Sequence, residues 1–84
     1  MVIYGFLECP QVDIGSKSDG RIAILTDSFG KKYKLYRKDV LPSFDKFFIP
    51  YANQRIGVNG NEEPETGSYL VNSILLEDGT EVFP

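Results

Sequence analysis

The sequence predicts a small, mostly β domain in which five short strands close into a barrel, with one short helix between the third and fourth. Three observations carry that prediction. Apolar residues come in short runs, many of them alternating with polar ones at the two-residue period of a strand. Eight glycines and five prolines interrupt them, more punctuation than long helices tolerate. The chain has 84 residues and reads as a single domain over 1–84. A chain of that size hides only about 60–65% of its unfolded surface, so its core is one thin layer.

The first strand is expected over Val2 to Glu8, where β-branched and aromatic residues stand on both parities. Gly5 in its middle either weakens the strand or marks a bulge where the sheet bends sharply, and the strength of the flanking residues favours the bend. Pro10 to Gly20 is polar and rich in turn-forming residues, and reads as an eleven-residue loop. The second strand is expected from Arg21 to Ser28, and the third from Lys31 to Val40. Asp27-Ser28-Phe29-Gly30 between them supplies a tight turn, with Gly30 suited to a positive φ.

Leu41 to Gln54 breaks the strand rhythm. Ser43 after Pro42 is a good helix N-cap, and Phe44, Phe47 and Phe48 fall on one helical face. Pro50 disfavours a helical Ile49, so this helix is short, of the kind that plugs the open end of a barrel. Arg55 to Asn59 resumes strand character, and Gly60 to Gly67, with three glutamates and a proline, reads as a loop. The last strand is expected from Ser68 to Glu77. Its apolar parity changes between Val71 and Ile74, which predicts a bulge near Asn72-Ser73. Val82-Phe83 reads as a short tail packing back.

Taken together, Gly5 in the first strand, the DSFGKKYKL hairpin, the Phe-rich linker ending at Pro50-Tyr51, and IGVNG before GSYLVNSI give an order that resembles the OB-fold, a five-stranded, partly open Greek-key barrel. The likeness is to small uncharacterised bacterial OB-like domains and covers about residues 2 to 77. It implies a ligand face that includes strands two and three. An SH3-like barrel is the alternative, since it too is small and Gly-punctuated; the Phe-rich helix favours the OB-like reading.

Composition excludes several chemistries. There is no His, which removes Ser-His-Asp and Cys-His sites and His-bearing zinc sites. The one cysteine, Cys9, excludes an internal disulfide and any CxxC pair. No metal or cofactor is expected, and the chain reads as a non-catalytic binding module. The start Met1 to Leu7 has no basic segment, Glu8 before Cys9 is wrong for lipoprotein processing, and no apolar stretch nears membrane-spanning length. A cytoplasmic location with a free, filler Cys9 is the expectation.

Charge supplies the candidate site. The net charge of −3 divides unevenly. Residues 1–42 hold seven Lys/Arg against five Asp/Glu, and residues 43–84 hold two against seven. Five of the nine basic residues fall in Lys31 to Lys38. Strand alternation puts Lys32, Lys34, Tyr36 and Lys38 on one face, a cationic row around one ring. That composition suits single-stranded nucleic acid, with lysines on phosphates and the ring under a base; Arg21 and Lys31 are candidate helpers. The same row also suits a solvated strand face whose lysines keep the hairpin soluble. Phe29 at the hairpin tip is a possible second ring. Glu62, Glu63 and Glu65 in the following loop oppose phosphate binding.

The other class is a protein-interaction or self-assembly module. It would use aromatics left outside the barrel, among Tyr4, Phe6, Tyr51 and Tyr69. Against it, a bent first strand would bury both of its faces.

Overall fold

The computed structural model of the chain describes residues 2–14, 17–41 and 45–84, with the backbone alone given for 11–14 and 17–19. Among the described residues eight strands run in the order β1 (Val2–Glu8), β2 (Gln11–Ile14), β3 (Lys17–Arg21), β4 (Ala23–Thr26), β5 (Lys32–Tyr36), β6 (Gln54–Glu63), β7 (Ser68–Leu75) and β8 (Glu81–Val82). Five of them form a ring within one sheet, β5-β4-β1-β6-β7, which closes because β7 also pairs with β5. Every neighbouring pair in the ring is antiparallel except that closing pair, which is parallel. β8 extends the sheet beyond β7. Among the described residues no helix is long and apolar enough to cross a membrane.

Alternation decides which side chains fill the ring. Leu7, Ala23, Leu25, Tyr33, Leu35, Ile56, Val58, Tyr69, Val71 and Ile74 are buried inside it. Cross-strand register lines them up: Leu7 faces Leu25, which faces Tyr33, and Ala23 faces Leu35, which faces Tyr69. A slip of one residue in any strand would turn its apolar set out to water, so this filling fixes the register. Tyr69 is fully buried, its ring edge-on to Tyr33 at 6.0 Å and its hydroxyl donating to the Val58 carbonyl at 3.4 Å.

The expected bulge is present in β7. Asn59 pairs with Ser73 and Gly60 with Val71, which leaves Asn72 as the extra residue. Asn72 is exposed while Val71 and Ile74 on either side are buried, so the bulge resets the apolar parity. Gly30 has the positive φ expected of the β4–β5 turn, +83°.

Several expectations are corrected. Pro10 to Gly20 is not a loop, because β2 and β3 pair as a separate two-stranded hairpin. Val12 and Ile14 do alternate with polar residues, but two apolar positions are too few to stand out in a turn-rich segment. Gly5 is not at a bulge, since the register of β1 runs unbroken against both neighbours. Its missing side chain is required by crowding instead: a Cβ there would lie 2.3 Å from the Thr26 carbonyl oxygen. β5 ends at Tyr36, four residues early, in a turn where Asp39 has φ +64°.

The Phe-rich linker is not an α-helix where it is described; Ser43 and Phe44 lie outside the described residues. Asp45 competes with a helix by accepting the Phe47 amide at 2.9 Å. Pro50 then confines the regular structure to a single 3-10 turn, Ile49–Tyr51. The linker contributes to the core without the helix. Phe48 is buried in the core, Phe47 and Tyr51 pack partly against it, and the Asn53 amide donates to the Leu7 carbonyl at 2.7 Å. Asp45 also anchors the linker to the end of β5, accepting Arg37 Nε at 2.7 Å and Nη2 at 2.6 Å. The Arg37 guanidinium lies 4.8 Å from the centre of the Phe47 ring.

The strand β6 continues through Glu63, so Gly60 is a strand residue rather than a turn. A Cβ on Gly60 would lie 1.8 Å from the Leu70 carbonyl oxygen of the bulged strand. Gly67, with φ +72° and open space around it, instead serves the β6–β7 turn. Gly60→Ala should therefore destabilise the fold by about 3 kcal/mol or more through steric overlap. Gly67→Ala should cost only about 1 kcal/mol, the backbone penalty alone. Urea unfolding of the two variants checks this, and equal losses would contradict the strand assignment of Gly60.

Candidate functional site

The outer face of the ring is built by the same alternation that fills its interior. Tyr33 and Leu35 of β5 point inward, so Lys32 and Lys34 point out and are exposed, and Tyr36 is half-buried on the same side. Lys32 donates to the Thr26 hydroxyl at 3.4 Å. Cross-strand register extends this face over two further strands. Lys32 stands opposite Thr26, which stands opposite Phe6. Lys34 stands opposite Ile24, which stands opposite Glu8.

The structure gathers three of the expected site residues on this face, Lys32, Lys34 and Tyr36, and places the others elsewhere. Lys38 lies in the turn beyond the end of β5, because the strand stops at Tyr36. Arg21 belongs to the β2–β3 hairpin and donates to the Cys9 carbonyl at 3.0 Å. Lys31 sits at the end of the ring. Its ammonium lies 2.8 Å from Glu62 Oε2 and 4.8 Å from the centre of the Tyr33 ring. The hydrogen bond that the Lys31 ammonium donates to Glu62 holds it above its ordinary pKa, so it stays charged but engaged. Phe29 at the tip of the β4–β5 turn is 94% exposed, so it does not fold back on the ring.

Two contributors were not assigned to the site from sequence. The first is Glu63. Expected in a loop, it lies on β6 opposite Ser68, and Ser68 lies opposite Lys34. One outward row therefore reads Lys34, Ser68, Glu63, and the Tyr36 hydroxyl donates to Glu63 Oε1. Lys34, Tyr36, Glu63, Thr66 and Ser68 line a shallow depression of 210 Å³. The signal available was the apolar-polar alternation of Ile56 and Val58, which Gly60 interrupts at the point where a turn was expected.

The second contributor is β1. Its inward positions are Ile3, Gly5 and Leu7, while Val2, Tyr4 and Phe6 face out at 40%, 62% and 39% exposure. The strand does not bury both faces, because a single ring interior accepts one parity only. Tyr4 lies across Gly57, its ring atoms occupying the space a Cβ there would need. Tyr69 and Tyr51, the other candidates for exposed aromatics, are respectively buried and half-buried against the core. Cys9 is half-buried, and that burial pushes its thiol above the ordinary range, with a smaller opposing pull from Arg21.

No family model, curated protein or solved structure matches this chain.

The Tyr36–Glu63 contact has a measurable signature. The phenol pKa is raised, first because its proton is held by Glu63, and further by burial and by the adjacent negative charge. Glu63→Gln should bring the Tyr36 midpoint down toward that of an ordinary tyrosine, followed through the ζ-carbon resonance of the ring. An unchanged midpoint would mean that the contact is not made in solution.

Proposed function

We propose that this chain is an OB-like Greek-key barrel that binds single-stranded nucleic acid on the outer face of β1, β4 and β5. The strand order supports the fold half of the reading. Numbering the ring strands one to five along the chain, as β1, β4, β5, β6 and β7, gives the cyclic order 1-2-3-5-4. The run β6-β1-β4-β5 within it is the 4-1-2-3 order of a Greek key. The Phe-bearing linker enters between ring strands three and four, where the OB-like reading expects the plug.

The observation that carries the ligand half is one outer face bearing two exposed lysines and an exposed ring in register. Lys32 and Lys34 meet the backbone phosphates, while Phe6 and the Tyr36 ring offer surfaces for bases. The sequence offered a single ring in this row; β1 adds Phe6 across Thr26. The resulting site is modest in charge, because Lys31 is engaged by Glu62 and Arg37 by Asp45. Affinity on this reading is low and rests on stacking as much as on phosphate contacts.

A second reading rests on Val2, Tyr4 and Phe6, three consecutive outward positions of β1 that are apolar and exposed. They also suit a protein partner or a second copy of the chain. Salt separates the two readings. Oligonucleotide binding followed by fluorescence anisotropy should weaken with salt at a log–log slope of about −1.4 for two phosphate contacts. Lys34→Glu should weaken it by about tenfold, as one contact becomes a repulsion. Absence of binding at low salt would overturn the nucleic-acid reading, and a concentration-dependent mass in light scattering would favour the second.

A further inference from the structure

A carboxylate on a face that binds phosphates is an electrostatic cost, and Glu63 is placed there by the fold rather than by a flexible loop. It is held on β6 by pairing with Ser68, and its Oε1 is oriented by the Tyr36 hydroxyl. It shares its depression with Lys34 and with the hydroxyl residues Thr66 and Ser68. A fixed acceptor beside an aromatic ring and a cation has the composition of a base-edge reader: the ring stacks, the cation holds the phosphate, and the acceptor meets the edge of the stacked base.

We propose that Glu63 reads the base at this position and selects guanine. The inference rests on the nucleic-acid reading given above, extends that face from Lys34 across Ser68 to Glu63, and names its specificity. A carboxylate is an acceptor only, so it favours an edge with adjacent donors. On the Watson–Crick edge guanine presents two neighbouring N–H donors, from N1 and the exocyclic N2, which match the two oxygens of a carboxylate. Adenine and cytosine each present an amino donor beside a ring-nitrogen acceptor. Thymine and uracil flank their single N–H with two carbonyl acceptors, which a carboxylate repels. Each carboxylate oxygen accepts more than one hydrogen bond, so the Tyr36 hydroxyl can stay on Oε1 while the base binds. A charge-assisted, two-pronged contact of this kind discriminates among bases by about tenfold or more.

The test compares two labelled single strands of equal length, one of thymine alone and one alternating thymine with guanine. Both are titrated at low salt in lithium buffer, which keeps guanine strands unfolded. Wild-type protein should bind the guanine-containing strand about tenfold more tightly. Glu63→Gln should abolish this preference in a way that simple damage to the fold would not. It should weaken binding to the guanine strand by about tenfold while leaving the thymine strand unchanged or tighter, since one negative charge is removed from the face. Tyr36→Phe keeps the ring and removes the hydroxyl, and should lower the guanine preference with little effect on thymine binding. Equal affinity of the wild type for the two strands, or an equal loss on both in Glu63→Gln, would overturn the guanine assignment and leave the binding reading standing. Binding of neither strand would overturn both.

Discussion

The whole arrangement depends on one short stretch of backbone pairing, the parallel contact that joins β5 to β7. Lys34, Leu35 and Tyr36 pair with Ser68, Tyr69 and Leu70, and only this contact turns an open run of strands into a ring. Inside, it brings Tyr69 over Tyr33 and Leu35 and completes the buried layer. Outside, it sets β6 two strands away from β5, because β7 pairs with both. Adjacent strands lie about 4.8 Å apart, so Lys34 and Glu63 are held roughly two strand spacings apart across Ser68. The chemistry of the outer face thus follows from the closure of the core.

That closure also explains the charge asymmetry between the halves of the chain. The first half carries the excess of lysine and arginine, the second the excess of carboxylates. Both ion pairs among the described residues join one half to the other, Lys31 to Glu62 and Arg37 to Asp45. The two pairs differ in environment. Asp45 is buried and takes a forked guanidinium, and breaking such a pair costs about 3–5 kcal/mol because one charge is left without its partner. Lys31 is exposed, and solvent screening leaves its pair with Glu62 contributing little to stability. The asymmetry is therefore partly internal compensation, and the cations left for an outside ligand on β5 are Lys32 and Lys34.

The parts of the fold that were legible were those governed by local rules. Strand β1 has its expected bounds, the β4–β5 hairpin turns at Gly30, and the parity change of β7 marks a true bulge at Asn72. The parts that were not legible were settled by tertiary contact. Asn59-Gly60-Asn61 has the composition of a hairpin turn, yet Gly60 is there because the Leu70 carbonyl leaves no room for a Cβ. Phe44, Phe47 and Phe48 have helical spacing, yet over the described part of the segment Asp45 is claimed by Arg37 and the Phe47 amide, and the chain turns without forming an α-helix. Of the candidate site, Lys32, Lys34 and Tyr36 were readable from alternation alone. Lys38 was misplaced because nothing local ends the strand at Tyr36, and Glu63 was missed because its position depends on which strand closes the ring.

Those two misplacements change the character of the face in the same direction. An alternating row of three lysines and a tyrosine would be a general phosphate binder, whose affinity is set by charge and indifferent to sequence. Taking Lys38 away lowers the formal charge of the row from +3 to +2, bringing Glu63 in lowers it to +1, and an oriented acceptor is added beside the ring. Because phosphate attraction is common to every strand, reducing it lowers all affinities together. A contact that depends on the base edge then makes up a larger share of what remains. On the proposed reading, a weak phosphate contact combined with one fixed acceptor would discriminate between ligands better than a stronger, purely cationic row.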